Sequence, residues 1–163
     1  MLERSLKQNY YWPAREWPYK NVKPQIIAEQ YIECADGDLP DYKIHCFNGE
    51  PKFILVCTKR YSEEGLKQDF FTVEWEHLNV KRPGHENSTE LINKPEQLEL
   101  MLELSKKLSE DITFLRTDFY IVNGQIYFGE LTFYPSSGMT EFVPDRWDIE
   151  FGKLLSMPDN YKK

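Results

Sequence analysis

Arg116, Asp118 and Glu130 lie within Arg-Thr-Asp-Phe-Tyr-Ile-Val-Asn-Gly-Gln-Ile-Tyr-Phe-Gly-Glu-Leu-Thr-Phe, residues 116–133, where most other residues are apolar or aromatic. Ionised groups in such surroundings are costly unless they are paired or bind a metal. Hard divalent cations take oxygen ligands, usually one or two carboxylates completed by water and phosphate, and Asp118 and Glu130 supply that count. The competing reading is an Arg116–Glu130 cross-strand ion pair on a solvated sheet face, with Asp118 exposed.

Geometry separates the two readings through the hairpin turn at Asn123-Gly124. A two-residue loop pairs Val122 with Gln125 and sends Asp118 and Glu130 to opposite faces, where they cannot cooperate, so only an odd-length loop makes a metal site. A three-residue loop pairs Ile121 with Gln125, sets Arg116 opposite Glu130 and places Asp118 diagonally on the same face. On that register Tyr120, Ile126, Phe128 and Thr132 share the charged face. The letters alone leave the loop length open.

These residues need a scaffold, and 163 residues suffice for one domain or part of a larger one. A net charge of -7 excludes nucleic acid and anionic membranes as the main partner. No stretch is long enough to span a membrane, and Met1-Leu2-Glu3-Arg4-Ser5 lacks a signal-peptide core, so a cytoplasmic protein is expected. Cys34, Cys46 and Cys57 form an odd set without a C-x-x-C pair, which reads as reduced, partly buried thiols. His45, His77 and His85 are scattered and suggest no catalytic pair.

The pattern is α+β. A short helix is expected over Leu2–Tyr10, followed by an aromatic, proline-rich connector that cannot continue it. Residues 24–32 read as a strand buried on both faces. Tyr42–Phe47 and Lys52–Thr58 read as strands joined through Asn48-Gly49, and Phe70–Trp75 as another. Lys81–Lys94 is a loop. Pro95 opens the best helix, with Leu98, Met101, Leu102, Leu104 and Leu108 at helical spacing, and a final helix is expected over Asp145–Leu155. The sum is a helix-on-sheet layer architecture. The expected division is a connector at 1–24, a main domain at 25–158 and a tail at 159–163.

Arg-Thr-Asp-Phe-Tyr followed one hairpin later by Gly-Glu-Leu-Thr-Phe-Tyr-Pro-Ser-Ser-Gly-Met-Thr resembles the metal-binding end of ATP-grasp ligases. The segments Ile-Ile-Ala-Glu-Gln-Tyr-Ile, Asp-Tyr-Lys-Ile-His-Cys-Phe-Asn-Gly and Tyr-Phe-Gly-Glu-Leu-Thr-Phe-Tyr-Pro-Ser-Ser-Gly more closely resemble the TupA-like ATP-grasp proteins of bacterial surface polysaccharide biosynthesis, such as capsule and teichuronopeptide. That similarity runs from about Tyr10 to Pro158. It implies an ATP-grasp-like antiparallel sheet with helices packed on it. It also implies ATP and Mg2+ as cofactors, and an acyl phosphate joining a carboxylate to an amine on a small-molecule or polymer acceptor.

Residue by residue, the resemblance implies magnesium ligation by Asp118 and Glu130, with Thr132 where many grasp enzymes have an asparagine. Arg116 matches the arginine that stabilises charge on the acyl intermediate. Glu29, Gln30 and Ile32 match the linker beside adenine. Asp41 and Lys43 alternate onto one strand face and suit ribose and phosphate, with a surface ion pair as the alternative. Arg60 reaches phosphate if Asn48-Gly49 forms a two-residue turn. Ser136, Ser137 and Gly138 follow the ligands and line an acceptor entrance, or form a simple exposed turn.

The family's N-terminal subdomain and glycine-rich phosphate loop find no counterpart before Ile26, so the chain reads as a carboxyl-terminal part: a truncated reading frame, a fragment, or a protein whose partner chain supplies the rest. Two other classes compete. A glycosyltransferase of the same pathway holds its metal with Asp-x-Asp, a pattern that Asp36-Gly37-Asp38 fits, although Asp-Gly-Asp is also ordinary turn chemistry. A non-catalytic remnant exposes apolar surface through Tyr10, Tyr11, Trp12 and Trp17 and self-associates.

Overall fold

Asn-Gly closes both long hairpins, and in each case both turn residues take positive φ: 52° and 80° at Asn48-Gly49, 51° and 76° at Asn123-Gly124. That conformation is the two-residue hairpin turn whose twist matches the flanking strands. The computed structural model describes residues 2–32 and 38–157. Its sheet contains β1 (Asp41–Phe47), β2 (Glu50–Thr58), β3 (Lys67–Thr72), β4 (His77–Leu78), β5 (Phe114–Val122) and β6 (Gln125–Thr132). The strands are antiparallel in the order β4-β3-β2-β1-β5-β6.

Among the described residues four α-helices accompany them: α1 (Leu2–Ser5), α2 (Tyr11–Ala14), α3 (Leu98–Leu108) and α4 (Arg146–Gly152). The result is the expected α+β, helix-on-sheet arrangement. Leu98, Met101 and Ser105 of α3 are buried against the sheet, meeting Tyr42, Ile44, Cys46, Ile54, Val56, Phe71 and Phe119. The apolar stripe is thus interrupted by a serine, which bonds Thr117 Oγ1 at 2.7 Å and donates to the Met101 carbonyl at 2.7 Å. Leu108, expected in that stripe, is 40% exposed. On the opposite face a second core gathers Phe47, Phe53, Leu55, Cys57, Phe70, Val80 and, from α4, Phe151.

Neither hairpin keeps the register its turn dictates. In β1–β2, Phe47 pairs with Glu50 and Cys46 with Pro51, but His45 pairs with Phe53, leaving Lys52 as an extra residue. In β5–β6, Val122 pairs with Gln125 and Phe119 with Phe128, but Thr117 pairs with Leu131, so Asp118 faces both Gly129 and Glu130. Each β-bulge shifts the phase of its strand by one residue, and all side chains beyond it change face.

The strand expected over Phe70–Trp75 runs instead over Lys67–Thr72, because the chain turns at Trp75, where φ is 73° and the N–H donates to the Thr72 carbonyl, and two further expected elements differ. Residues 22–32 are irregular rather than a buried strand, with Ile27 and Tyr31 about four-fifths exposed, because among the described residues the segment pairs with no strand of the sheet. The first helix ends at Ser5, and α2 and a 3-10 turn at Trp17–Tyr19 follow it. Cys46 and Cys57 are free and buried, as expected, while Cys34 lies outside the described residues.

Candidate functional site

The bulge in β6 assembles the charged cluster. Without it, the two-residue turn would aim Glu130 toward the α3 side. With it, Glu130 joins Arg116 and Asp118 on the face opposite α3, while Arg116 sits across from Thr132. The expectation that only a three-residue loop could bring the carboxylates together is therefore corrected. Gly129 permits the close approach, since a Cβ there would lie 3.1 Å from the Asp118 carbonyl oxygen and 3.0 Å from Cε2 of Tyr120. The residues sharing the face change accordingly: Tyr127, paired with Tyr120, replaces Ile126 and Phe128, and Ile126 packs against the α3-side core.

Asp118 is the buried centre, its side chain 1% exposed. Arg116 grips it in a fork, Nε to Oδ1 at 2.7 Å and Nη2 to Oδ2 at 2.8 Å, and the same Nη2 donates to Glu130 Oε1 at 2.7 Å. Both carboxylates thus share one guanidinium nitrogen. Thr132 Oγ1 donates to Glu130 Oε1 at 2.8 Å. From β1, Lys43 reaches Asp118 Oδ2 and lies 2.6 Å from Asp41 Oδ2.

Arg60 arrives by an unexpected route. Its two-residue turn forms, but the β1–β2 bulge would send it to the wrong face if β2 continued. Instead β2 stops at Thr58, Lys59 adopts a positive φ of 55°, and the chain turns so that Arg60 Nη2 meets Asp41 Oδ2 at 3.0 Å. Three acids and three bases then form one charge-balanced network.

Burial sets the titration of this network. It pushes the Asp41 carboxyl up, with Lys43 opposing. It pulls the Lys43 ammonium down, but Asp118 and Asp41 outweigh that and the net shift is upward. The same balance holds Arg116 above its ordinary value through Asp118 and Glu130. Asp41 Oδ1 is buried with no hydrogen-bond partner, a ready acceptor for a ligand hydroxyl.

Glu130 borders two clefts. One, of about 750 Å³, is walled by Glu29, Gln30, Tyr31 and Ile32 on one side and by Tyr120, Tyr127, Phe128 and Gly129 on the other. The expected linker residues therefore line a cleft that ends at Glu130, although they form no strand. The second, of about 430 Å³, includes Glu16, Tyr19, Arg116, Thr132, Ser136 and Ser137. Ser137 Oγ donates to the buried Glu16 at 3.0 Å, tying the N-terminal connector to this wall. Glu16 and Tyr19 carried no signal in sequence, whereas Gly129 did, because an isolated glycine in a strand marks a bulge or a close backbone approach.

Among the described residues no three His, Cys, Asp or Glu side chains cluster as a self-sufficient metal site. The donor set nevertheless fits magnesium: Asp118 is fixed and buried, Glu130 is 62% exposed with one oxygen unbonded by protein, and the Thr132 hydroxyl lies beside it. Such a pair suits an ion whose remaining ligands are phosphate and water. Asp36 and Gly37 lie outside the described residues, and both oxygens of Asp38 accept the Lys59 N–H, at 2.8 and 2.9 Å. Tyr10, Trp12 and Trp17 are each about three-fifths exposed, with Lys20 over the Trp17 ring and Arg15 over Trp12. No described helix is long and apolar enough to cross a membrane.

Comparison with known proteins places this geometry in context. The family described as TupA-like ATPgrasp matches residues 1–156. A D-alanine–D-alanine ligase of Sulfurimonas denitrificans is 26% identical over 136 residues, covering 83% of this chain and 36% of that protein. The chain thus spans about a third of the length of that relative. No solved structure matches.

Proposed function

Because the chain belongs to the TupA-like ATP-grasp family, we propose that it is the nucleotide- and magnesium-binding part of an ATP-dependent carboxylate–amine ligase. The observation that carries this reading is the convergence of Asp118 and Glu130 on one nitrogen of Arg116, at the end of a cleft walled by Glu29–Ile32. The cleft has the volume to take a purine between Tyr31 and the aromatic residues Tyr120, Tyr127 and Phe128 of the β5–β6 surface, leaving the triphosphate to run toward the charged cluster.

In this reading Glu29, Gln30 and Ile32 border the base, and Asp41, with its unbonded oxygen, accepts from a ribose hydroxyl. Lys43 and Arg60 turn from their carboxylates to the phosphates. Magnesium, when held by Asp118, Glu130 and Thr132, supplies screening of phosphate charge. Arg116 is a dry, permanently charged donor and stabilises the oxyanion that develops when an amine attacks the acyl phosphate. Phosphoryl transfer of this kind asks for positioning and electrostatics rather than a side-chain nucleophile. A preceding subdomain, on a longer chain or a partner, covers the triphosphate. The setting is cytoplasmic synthesis of a bacterial surface polymer bearing amide links.

The test is equilibrium binding of ATP, with and without Mg2+, to the wild type and to Glu130→Gln, with a uridine-diphosphate sugar as comparator. Glu130 is exposed, so the variant should fold with an unchanged melting temperature. The expected result is preference for ATP and a magnesium-dependent affinity that falls at least tenfold in the variant. Absence of magnesium-dependent ATP binding, or identical binding by the variant, refutes the proposal.

A further inference from the structure

The charged face continues past Arg116 into an apolar cavity that the ATP site does not use. It has a volume of about 310 Å³, at the small end of ligand pockets, and Phe53, Phe114, Phe142 and Phe151 are among the residues that line it. Its polar lining includes His45, Arg82 and Asp148, besides the hydroxyl residues Tyr134 and Thr140.

His45 is 3% exposed and stacks on Phe53 with ring centroids 4.3 Å apart. Its Nδ1 lies 3.1 Å from the Lys43 carbonyl, which can only accept, so Nδ1 carries the proton and Nε2 presents a lone pair. That Nε2 is buried and has no partner. Burial, reinforced by Arg116 and Arg82, keeps the ring neutral. A group that donates a hydrogen bond is what it lacks.

Arg82 is held in place by a two-way bridge beside it, Lys81 N–H to Val143 O at 2.9 Å and Val143 N–H to Lys81 O at 2.8 Å. Its Nε is buried without a hydrogen-bond partner, and its guanidinium lies 5.8 Å from the centre of the Phe142 ring. Among the described residues no carboxylate forms an ion pair with it, and the charge that acts on it most is the like charge of Arg116. An unpaired cation in a half-buried aromatic wall lacks an anion. Asp148, exposed at the mouth, keeps one carboxylate oxygen on the Phe142 N–H at 3.3 Å.

A cation without an anion, a lone pair without a donor and an aromatic wall define a ligand with a carboxylate, an N–H donor and a bulky apolar body. We propose that this cavity binds a free α-amino acid with a large apolar side chain: carboxylate on Arg82, amino group on His45 Nε2 and toward Asp148, side chain among the phenylalanines. On the ligase reading above, on which this assignment of a role rests, that amino acid is the amine-bearing substrate. His45 stands directly across from Arg116 in the sheet, which puts the cavity next to the charged cluster.

Titration calorimetry without nucleotide tests the cavity independently of the ATP site. The ligands are phenylalanine and leucine as both enantiomers, alanine, 3-phenylpropionate lacking the amine, and phenethylamine lacking the carboxylate. The proteins are the wild type, Arg82→Met and His45→Phe. Saturable binding of phenylalanine or leucine is expected, weakened at least tenfold by loss of the amine, the carboxylate, the Arg82 charge or the His45 lone pair. Arg82→Met keeps the side-chain stem and removes an unpaired buried charge, so it should melt no lower than wild type, which separates lost binding from lost folding. No saturable binding by either amino acid, equal affinity for 3-phenylpropionate, or equal affinity in Arg82→Met overturns the proposal. Loss of ATP binding with amino-acid binding intact overturns the ligase reading and leaves the cavity standing.

Discussion

Gly129→Ala puts the bulge to the test. A Cβ at this position would sit 3.0 Å from Cε2 of Tyr120 and 3.1 Å from the Asp118 carbonyl oxygen, several tenths of an ångström inside ordinary contact. The tyrosine ring can tilt away, but the carbonyl belongs to the backbone of β5 and is fixed by pairing on both sides, to β1 and β6. Overpacking of this kind costs ~1–3 kcal/mol. The smaller entropy of the unfolded alanine chain offsets ~0.4–1 kcal/mol of that. The net loss is up to ~2.6 kcal/mol, which in a domain of this size lowers the melting temperature by up to roughly 10 °C. Because Asp118 faces the Gly129–Glu130 pair, the same displacement moves one carboxylate relative to the other and weakens magnesium-dependent ATP binding. Urea unfolding followed by tryptophan fluorescence measures the first effect. Gly152→Ala is the control, for a Cβ there meets nothing within 4 Å and the residue lies in α4; a gain of ~0.5–1 kcal/mol is expected from helix propensity. If Gly129→Ala matches Gly152→Ala in midpoint and slope, the bulge has room for a side chain and the close-approach argument fails.

Other perturbations address the cluster and the cores. Asp118→Asn removes the negative charge between Arg116 and Lys43, both largely buried, and should cost ~3–5 kcal/mol in urea unfolding; an unchanged midpoint would mean the network is solvated. His45 is held well below its ordinary value of 6.5, so the unfolded chain takes up a proton that the folded chain refuses as pH falls. Stability is therefore lost on acidification below about 6.5, by ~1.4 kcal/mol at pH 5.5 relative to a His45→Phe variant carrying the same Asp41 contribution; parallel stability–pH curves for the two proteins would contradict this. Burial pushes the Cys46 thiol up to about 11, so at pH 8 an alkylating reagent should modify Cys46 only in denaturant, a result read by peptide mass. Modification of native Cys46 at the rate of a free thiol would show that the α3-side core opens.

Local chemistry made much of the sheet legible. The two Asn-Gly pairs announced two hairpins, the apolar and aromatic residues flanking them marked β1, β2, β5 and β6, and the 3.6-residue spacing after Pro95 marked α3. These signals are short-range, and the structure keeps them. Residues 24–32 misled because a run of apolar residues reads as a buried strand only if a second surface exists to bury it, and here Ile27 and Tyr31 remain exposed. The site was legible as residue types: Arg116, Asp118 and Glu130 were conspicuous as charges among apolar neighbours, and the segment 29–32 does border their cleft.

The sequence by itself determined which groups could do chemistry and which turns would form, since both follow from side-chain type and from backbone preferences of neighbouring residues. Tertiary structure decided which face each group occupies. The two-residue turn alone would have separated Glu130 from Asp118; a bulge at Gly129 reunited them, and a left-handed turn at Lys59 brought Arg60 to Asp41 despite a second bulge opposite Cys46, next to Pro51. Side-chain direction in a strand reverses with every residue, so one inserted residue inverts all that follows. Gly129 and Pro51 hinted at both insertions, but only pairing across the completed sheet fixed where they fell.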